Sequence, residues 1–129
     1  MRIGLVFALA LAGCTTSDGP TPRQQANQWA LANATPVGEP VNCIDTRRIR
    51  NMRARDDRNI DFEMTGRQVM RNTLPQACPG MTFDNRFAHR STTGRLCSID
   101  TVTVLRSDGS RGVTCGLGSF QQVEIAPRP

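Results

Sequence analysis

The stretch Arg47–Met64, RRIRNMRARDDRNIDFEM, holds the clearest structural pattern in the chain. From Ile60 to Met64 apolar residues alternate with acidic ones, which predicts a strand with one buried face. The polar residues 56–59 just before it favour a turn. Residues 48–55 are therefore predicted to form the partner strand of a β-hairpin, and the pattern indicates an antiparallel β fold.

Six arginines occur within twelve residues of this stretch. Since strand side chains alternate, both faces of the first strand would carry arginines, and a small β domain cannot bury them on both. The strand is therefore predicted to lie at a sheet edge or to contain a bulge. One interpretation is a charged edge that prevents aggregation, with nearby aspartates as ionic partners. The other is an anion-binding strip, formed by Arg47, Arg48, Arg50, Arg53 and Arg55.

The strip would suit lipopolysaccharide phosphates, peptidoglycan carboxylates or an acidic envelope protein. A nucleic-acid partner is not predicted, because no aromatic residues for base stacking interleave the arginines.

Further short strands follow the hairpin, separated by turn residues. They are predicted at residues 68–74, 81–90, 99–105, 113–117 and 120–125. Residues 41–129 are therefore predicted to form an all-β domain, a small antiparallel barrel or sandwich of six to seven short strands. The main aromatic residues of its modest core are predicted to be Phe62, Phe83, Phe87 and Phe120.

Residues 1–13 have the layout of a lipoprotein signal peptide, with Arg2, an apolar run and small residues. The sequence Leu11-Ala12-Gly13-Cys14 resembles the bacterial lipobox, in which the chain is cut before the cysteine and the cysteine is acylated. Ordinary cleavage after Ala12 is the competing interpretation. Thr15, rather than an aspartate, resembles outer-membrane sorting. The predicted location is therefore the outer membrane, lipid-anchored through Cys14 and facing the periplasm.

Residues 14–40 are predicted to be a lipidated tether, because prolines and glycines are frequent and apolar residues are sparse. One short helix is predicted within it, with Thr21 as N-cap, Pro22 in its first turn and Gln24 completing a capping box. Trp29, the only tryptophan, is predicted either to dock on the domain or to rest at lipid headgroups.

The chain has five cysteines, an odd number for an exported protein. Acylation of Cys14 leaves four, which are predicted to form two disulfides: Cys43, Cys78, Cys97 and Cys115. A hairpin centred near residues 108–109 would set Cys115 opposite about residue 102, roughly 16 Å from Cys97 along the strand, beyond disulfide reach. The preferred pairs are Cys43–Cys115 and Cys78–Cys97, while Cys43–Cys97 with Cys78–Cys115 stays open.

Several short segments resemble a family of small proteobacterial lipoproteins with a four-cysteine framework, labelled only as a domain of unknown function. The segments are Asp56-Asp57-Arg58, Arg71-Asn72-Thr73-Leu74-Pro75, Cys78-Pro79-Gly80, Leu96-Cys97-Ser98-Ile99-Asp100 and Cys115-Gly116-Leu117-Gly118-Ser119-Phe120. The resemblance spans about residues 41–125. It implies an exported, lipid-anchored, disulfide-bearing domain and no particular activity.

No catalytic or metal site is predicted. His89 is the only histidine and is expected to face solvent on a strand, without a partner for acid–base chemistry. The acidic residues 57–63 resemble the start of a calcium loop, but Phe62 and Gln68 occupy the positions that require glycine and glutamate. No enzyme activity and no cofactor are predicted.

The leading functional hypothesis is therefore a non-catalytic binding or envelope-maintenance module. The alternative is a periplasmic inhibitor of an exogenous enzyme such as lysozyme. The formal net charge of +5 argues against that alternative, because lysozyme is itself basic.

Overall fold

The structure, a computed structural model, describes residues 13–14, 18–91 and 93–129. Most of the predicted signal peptide, residues 1–12, lies outside the described residues. The helices are α1 (Pro22–Ala32) and α2 (Met81–Asp84). The strands are β1 (Ala34–Pro36), β2 (Cys43–Asp45), β3 (Ile49–Ala54), β4 (Asn59–Met64), β5 (Val69–Thr73), β6 (Phe87–His89), β7 (Arg95–Cys97), β8 (Thr101–Leu105), β9 (Arg111–Gly116) and β10 (Phe120–Ile125). Single 3₁₀ turns, Thr46–Arg48 and Thr65–Arg67, precede β3 and follow β4.

The strands form three antiparallel sheets. The largest has five strands in the order β1-β10-β5-β4-β3, and the smaller ones are the pair β2-β7 and the three-stranded β6-β8-β9. Among the described residues the sheets do not close into a barrel. They pack sandwich-like around one core that draws side chains from all three, including Phe62, Ile44 and Val102. The prediction of an all-β domain is thus confirmed in part: the described chain is mostly β and sandwich-like, but it also contains helices and has more strands than the six to seven predicted.

The predicted hairpin is β3 and β4, and Met52 lies opposite Phe62 as the alternation requires. β3 is the edge strand of its sheet, and its register shifts between Ile49 and Asn51. Both features predicted from the arginine run are therefore present. The irregularity changes which face the arginines take, so simple alternation does not describe them.

The predicted helix is α1. Thr21 is its N-cap, and the Thr21–Gln24 capping box is formed. The helix packs across the five-stranded sheet, and Trp29 Nε1 donates to the Ala126 carbonyl over 2.8 Å. The strand that follows the helix, β1, pairs with β10. Residues 22–36 are thus part of the domain, and the predicted tether of residues 14–40 is too long. Proline and glycine content signalled a linker, but an edge strand and a capped helix tolerate the same residues.

The preferred disulfide pairing is wrong. The structure has Cys43–Cys97, with Cα atoms 4.0 Å apart, and Cys78–Cys115, with Cα atoms 6.0 Å apart. Cys115 does lie opposite Val102, as predicted. However, Val41 forms a single bridge to Phe120, and the strand that follows, β2, pairs with β7, which sets Cys43 directly opposite Cys97.

Residues 81–90 do not form one strand. The helical turn α2 comes first, flanked by Gly80 and Asn85 with positive φ, and β6 follows. Met81 is fully buried on the inner side of this turn, whereas Phe83 on its outer side is 82% exposed. Phe83 is therefore not a core residue, while Phe62 and Phe120 are fully buried and contact each other edge to face.

Candidate functional site

A fully buried aspartate lies between two arginines under α1. Arg71 donates two hydrogen bonds to the Asp61 carboxylate, from Nε to Oδ1 over 2.7 Å and from Nη2 to Oδ2 over 2.9 Å. Arg55 Nε donates to Asp61 Oδ2 over 2.8 Å. The side chains of Asp61, Arg55 and Arg71 are 0%, 8% and 10% exposed. We call these three residues the buried cluster.

The buried cluster also fastens α1 to the sheet. Arg55 Nη1 donates to Asn27 Oδ1 over 3.1 Å, and Arg71 Nη2 donates to the Ala30 carbonyl over 3.2 Å. Asn27 and Ala30 lie on the buried face of the helix. The cluster therefore has a structural role, because its arginines join the Asp61 carboxylate in the sheet to Asn27 and Ala30 on the helix.

Two sequence predictions change as a result. Asp61 does not face solvent on the outside of β4, since α1 covers that face of the sheet. Arg55 is not part of a surface strip, because its guanidinium donates hydrogen bonds to Asp61 and Asn27.

Two further arginines of the run are ion-paired at the surface. Arg53 lies 3.4 Å from Glu63, and Arg47 lies 3.2 Å from Asp45. The Arg47 guanidinium holds the pKa of the Asp45 carboxyl below its usual value, and Asp45 raises the pKa of Arg47. Such exposed pairs add little to stability, because water screens the charges. These two arginines are the charged edge that the sequence suggested.

Arg48, Arg50 and Arg67 have no ion pair within the described part of the chain, and we call them the arginine corner. They gather where the 3₁₀ turn Thr65–Arg67 joins β4 to β5. Arg48 donates only to neutral groups, over 3.2 Å to Thr65 Oγ1 and 2.9 Å to Gln68 Oε1. All three are exposed. The corner therefore presents unneutralised guanidinium groups to solvent.

Arg67 is held in an unusual backbone conformation. Its φ is +60°, next to Gly66 at +75°, in the left-handed region that L-residues other than asparagine and aspartate rarely occupy. Sequence reasoning passed over this residue, since Gly66 signals a turn but does not indicate that the next residue shares the left-handed conformation. Residues with strained backbone conformations cluster at functional sites, which makes Arg67 a candidate.

Two adjoining grooves flank the corner turn, and Gly66, Arg67 and Gln68 line both. One, of about 670 Å³, also reaches Arg48 and Glu124. The other, of about 620 Å³, also reaches Arg50 and Ile125. Arginine heads around a partly apolar floor suit a carboxylate or phosphate group on a larger molecule.

The other sequence candidates form no chemical site. His89 lies half-buried on β6, not facing solvent as predicted, and its buried Nδ1 has no hydrogen-bond partner among the described residues. Asp56 accepts bonds from the backbone N–H groups of Arg58 and Asn59, which stabilises the hairpin turn. Within the described ranges, no three histidine, cysteine, aspartate or glutamate residues cluster so as to hold a metal ion.

Gly118 allows a close packing contact between β5 and the segment before β10. Asn72 is fully buried and exchanges two hydrogen bonds with the Gly118 backbone, of 2.7 and 2.8 Å. A Cβ at Gly118 would collide with the Thr73 carbonyl, so the close approach requires glycine. Cys14 is exposed and belongs to neither disulfide.

In the part of the chain that the structure covers, no helix has the length and apolar character needed to cross a membrane. No curated protein and no solved structure matches the chain. A family model does match, over residues 1–125. That match spans the hairpin, the buried cluster, the arginine corner and all five cysteines. The chain therefore belongs to the family of unknown function DUF6491.

Proposed function

We propose that this protein is a non-catalytic binding module of the bacterial cell envelope, anchored by acylated Cys14 to the periplasmic face of the outer membrane. Its ligand is an anionic envelope component, held at the arginine corner. The observation that carries the proposal is the contrast in charge pairing. Four arginines of the hairpin region are neutralised by carboxylates, Arg47, Arg53, Arg55 and Arg71. The three at the corner are not.

The corner is suited to bind rather than to react. Guanidinium groups bind carboxylate and phosphate oxygens in a fixed geometry and do not exchange protons at neutral pH. The grooves also contain Glu124 and Glu63, but Glu63 is paired with Arg53, so the three corner arginines leave the site net positive. The lone histidine lies on β6, in a different sheet. These facts support recognition of an anion by the corner.

The anchor is supported by the sequence Leu11-Ala12-Gly13-Cys14 together with the environment of Cys14. The other four cysteines are paired, whereas Cys14 is exposed and free to carry a modification. Multiple acyl chains on one residue would hold the domain firmly, because a single chain binds a bilayer only marginally.

Cosedimentation tests the arginine corner directly. The acylated protein would be solubilised in mild detergent and incubated separately with purified peptidoglycan sacculi and with lipopolysaccharide. Arg48, Arg50 and Arg67 would be replaced together by glutamine. Losing three guanidinium contacts of about 0.5–1 kcal/mol each should weaken binding by roughly 10- to 100-fold. The two ligands distinguish a carboxylate source from a phosphate source.

The matched control replaces Arg90, Arg95 and Arg128 by glutamine, three exposed arginines outside the grooves. Both variants lose the same net charge, so only a specific site separates them. If the two variants bound peptidoglycan and lipopolysaccharide equally well, the arginine corner would not be a binding site. Crosslinking to one stoichiometric protein partner instead would favour the inhibitor alternative. Mass spectrometry showing an unmodified Cys14 would remove the anchor.

A further inference from the structure

The most exposed aromatic side chain in the described structure belongs to a small apolar patch. Phe83 is 82% exposed and Val113 is 42% exposed. They line a groove of about 410 Å³ together with Pro79 and Val104. We call Phe83, Val113 and Pro79 the apolar patch. Exposed apolar residues that lie together mark a contact surface more than single ones do, and Phe83, Val113 and Pro79 line the same groove.

The chain holds Phe83 outward by fixing the residues on either side of it. Met81 is fully buried at the base of α2. After the turn, Asn85 Oδ1 accepts a 2.7 Å hydrogen bond from the Ala54 backbone N–H. The Cys78–Cys115 disulfide ties the segment before the turn to β9. The ring is therefore presented on a rigid support rather than on a flexible loop.

The segment leading to Cys14 joins the domain beside this patch. Arg23, in the first turn of α1, donates from Nη1 to the Phe83 carbonyl over 3.4 Å. The helix begins after its N-cap, Thr21. Seven residue steps separate Thr21 from Cys14, which span at most about 25 Å even when fully extended. A bilayer that holds Cys14 thus lies within reach of the patch.

The charges around the apolar patch complement an anionic surface. Arg106 lines the same groove as the patch, together with Asp84 and Asp108, and Arg23 bonds to the Phe83 carbonyl. Two more exposed arginines are close in sequence, Arg86 after Phe83 and Arg111 before Val113. Ser110 donates to Asp108 from both its backbone N–H and its hydroxyl, which keeps the pKa of that carboxyl below its usual value. When these neighbouring residues are counted with the groove lining, four arginines stand against two aspartates, and basic residues near an anionic membrane strengthen binding.

The geometry points to a second membrane contact: the apolar patch docks on the surface of an anionic phospholipid bilayer, with the Phe83 ring at the headgroup boundary. This inference rests on the proposed anchor at Cys14. Combining an acyl anchor with an apolar and basic contact fixes orientation as well as location.

The orientation has a consequence for the arginine corner. Ala54, which is bonded to Asn85 beside the patch, lies at one end of the β3–β4 hairpin. The corner turn lies at the other end of β4, a six-residue strand, at about 17 Å. With the patch on the bilayer, the arginine corner points away from the lipid toward the aqueous space, where an envelope ligand can reach it.

Tryptophan fluorescence tests the docking. The variants Phe83→Trp and Ile99→Trp would be made in the acylated protein and reconstituted into vesicles of phosphatidylcholine and phosphatidylglycerol. Some vesicles would contain lipids brominated near the top of the acyl chain, which quench nearby tryptophan. Ile99 is the matched control, because it is 90% exposed and lies just before β8, whose far end carries the groove residue Val104. The parent protein gives the background from Trp29.

We expect a blue shift and loss of most of the added emission for Phe83→Trp, with neither change for Ile99→Trp. Vesicle flotation is measured on the same samples and reports the anchor separately. Protein that floats while the Phe83→Trp signal stays unquenched would overturn the docking and leave the anchor intact. Protein that does not float would overturn both. Equal quenching without phosphatidylglycerol would overturn the anionic character of the surface.

Discussion

Arg50 and Arg55 lie five residues apart on one hairpin arm, yet they have opposite environments. Arg55 is buried beneath α1 and bonded to Asp61, whereas Arg50 is exposed with no ionic partner in the described chain. The buried cluster and the arginine corner are neighbours, because Arg50 and Arg55 line the same groove. A helix covers the first and no described element covers the second.

The difference shows that burial and hydrogen-bond partners, not residue type, decide whether an arginine stabilises the fold or is exposed for binding. In the buried cluster a single carboxylate receives three guanidinium hydrogen bonds, and backbone and amide oxygens from α1 receive the rest. At the corner, Arg48 finds only a hydroxyl, a carbonyl and an amide oxygen. Removing a hydrogen-bond partner should therefore lower the stability of the fold in the buried cluster. Removing an arginine of the arginine corner should instead weaken ligand binding.

The largest effect is expected from Asp61→Asn. The change leaves two buried guanidinium groups without their counter-charge, which costs about 3–5 kcal/mol when a buried pair is broken from one side. The free energy of unfolding from urea denaturation measures it. Glu63→Gln on the same strand is the control, because its partner Arg53 is 42% exposed and the loss should stay below about 1 kcal/mol. Equal losses in the two variants would contradict the contrast.

A smaller loss is expected from Asn27→Ala. Asn27 is 6% exposed and accepts from Arg55, so the change removes a hydrogen bond to a charged group and costs about 1.5–3 kcal/mol. Gln28→Ala on the exposed face of α1 should change stability by no more than about 0.5 kcal/mol. Urea denaturation again gives the values. If Asn27→Ala were as mild as Gln28→Ala, the helix would not depend on the cluster.

Arg67→Gly should raise stability while weakening binding at the corner. An L-residue at φ +60° costs about 1–2 kcal/mol, and glycine returns roughly 0.5–1 kcal/mol of that through its greater freedom in the unfolded chain. The expected net gain is about 0.5–1 kcal/mol by thermal or urea unfolding. Arg67→Gln keeps the strained backbone and should change only binding. A glycine variant with unchanged stability would mean that the turn stores no strain.

Much of the hairpin region could be predicted from the sequence because its signals are local. The alternation at residues 60–64 fixed the register of β4, and the excess of arginine predicted an edge with a bulge. The Thr21–Gln24 capping box located the start of α1. Each of these depends on neighbours within a few residues, where periodicity and side-chain chemistry are directly informative.

The rest depended on contacts between distant segments. The burial of Asp61 requires α1, which lies about thirty residues away and has a buried asparagine rather than a clearly apolar face. The disulfide pairs follow from the pairing of β2 with β7, which no local sequence pattern predicts. The corner was found only in part, because Arg67 lies outside the arginine run and joins it through the fold.

The smallest expected effect concerns Asp45 at the exposed start of the run. Its pKa is lowered first by the Arg47 side chain and second by the Arg47 backbone N–H. Because the folded pKa lies below the unfolded one, the carboxylate stabilises the fold at neutral pH, and this contribution disappears as pH falls through the folded pKa. Carboxyl NMR titration of Arg47→Gln should show the Asp45 pKa rising but staying below its usual value, since the backbone donor remains. If the Asp45 pKa returned fully to its usual value, the Arg47 side chain alone would lower it. If the Asp45 pKa did not rise at all, Arg47 would be unpaired in solution, like the arginines of the arginine corner.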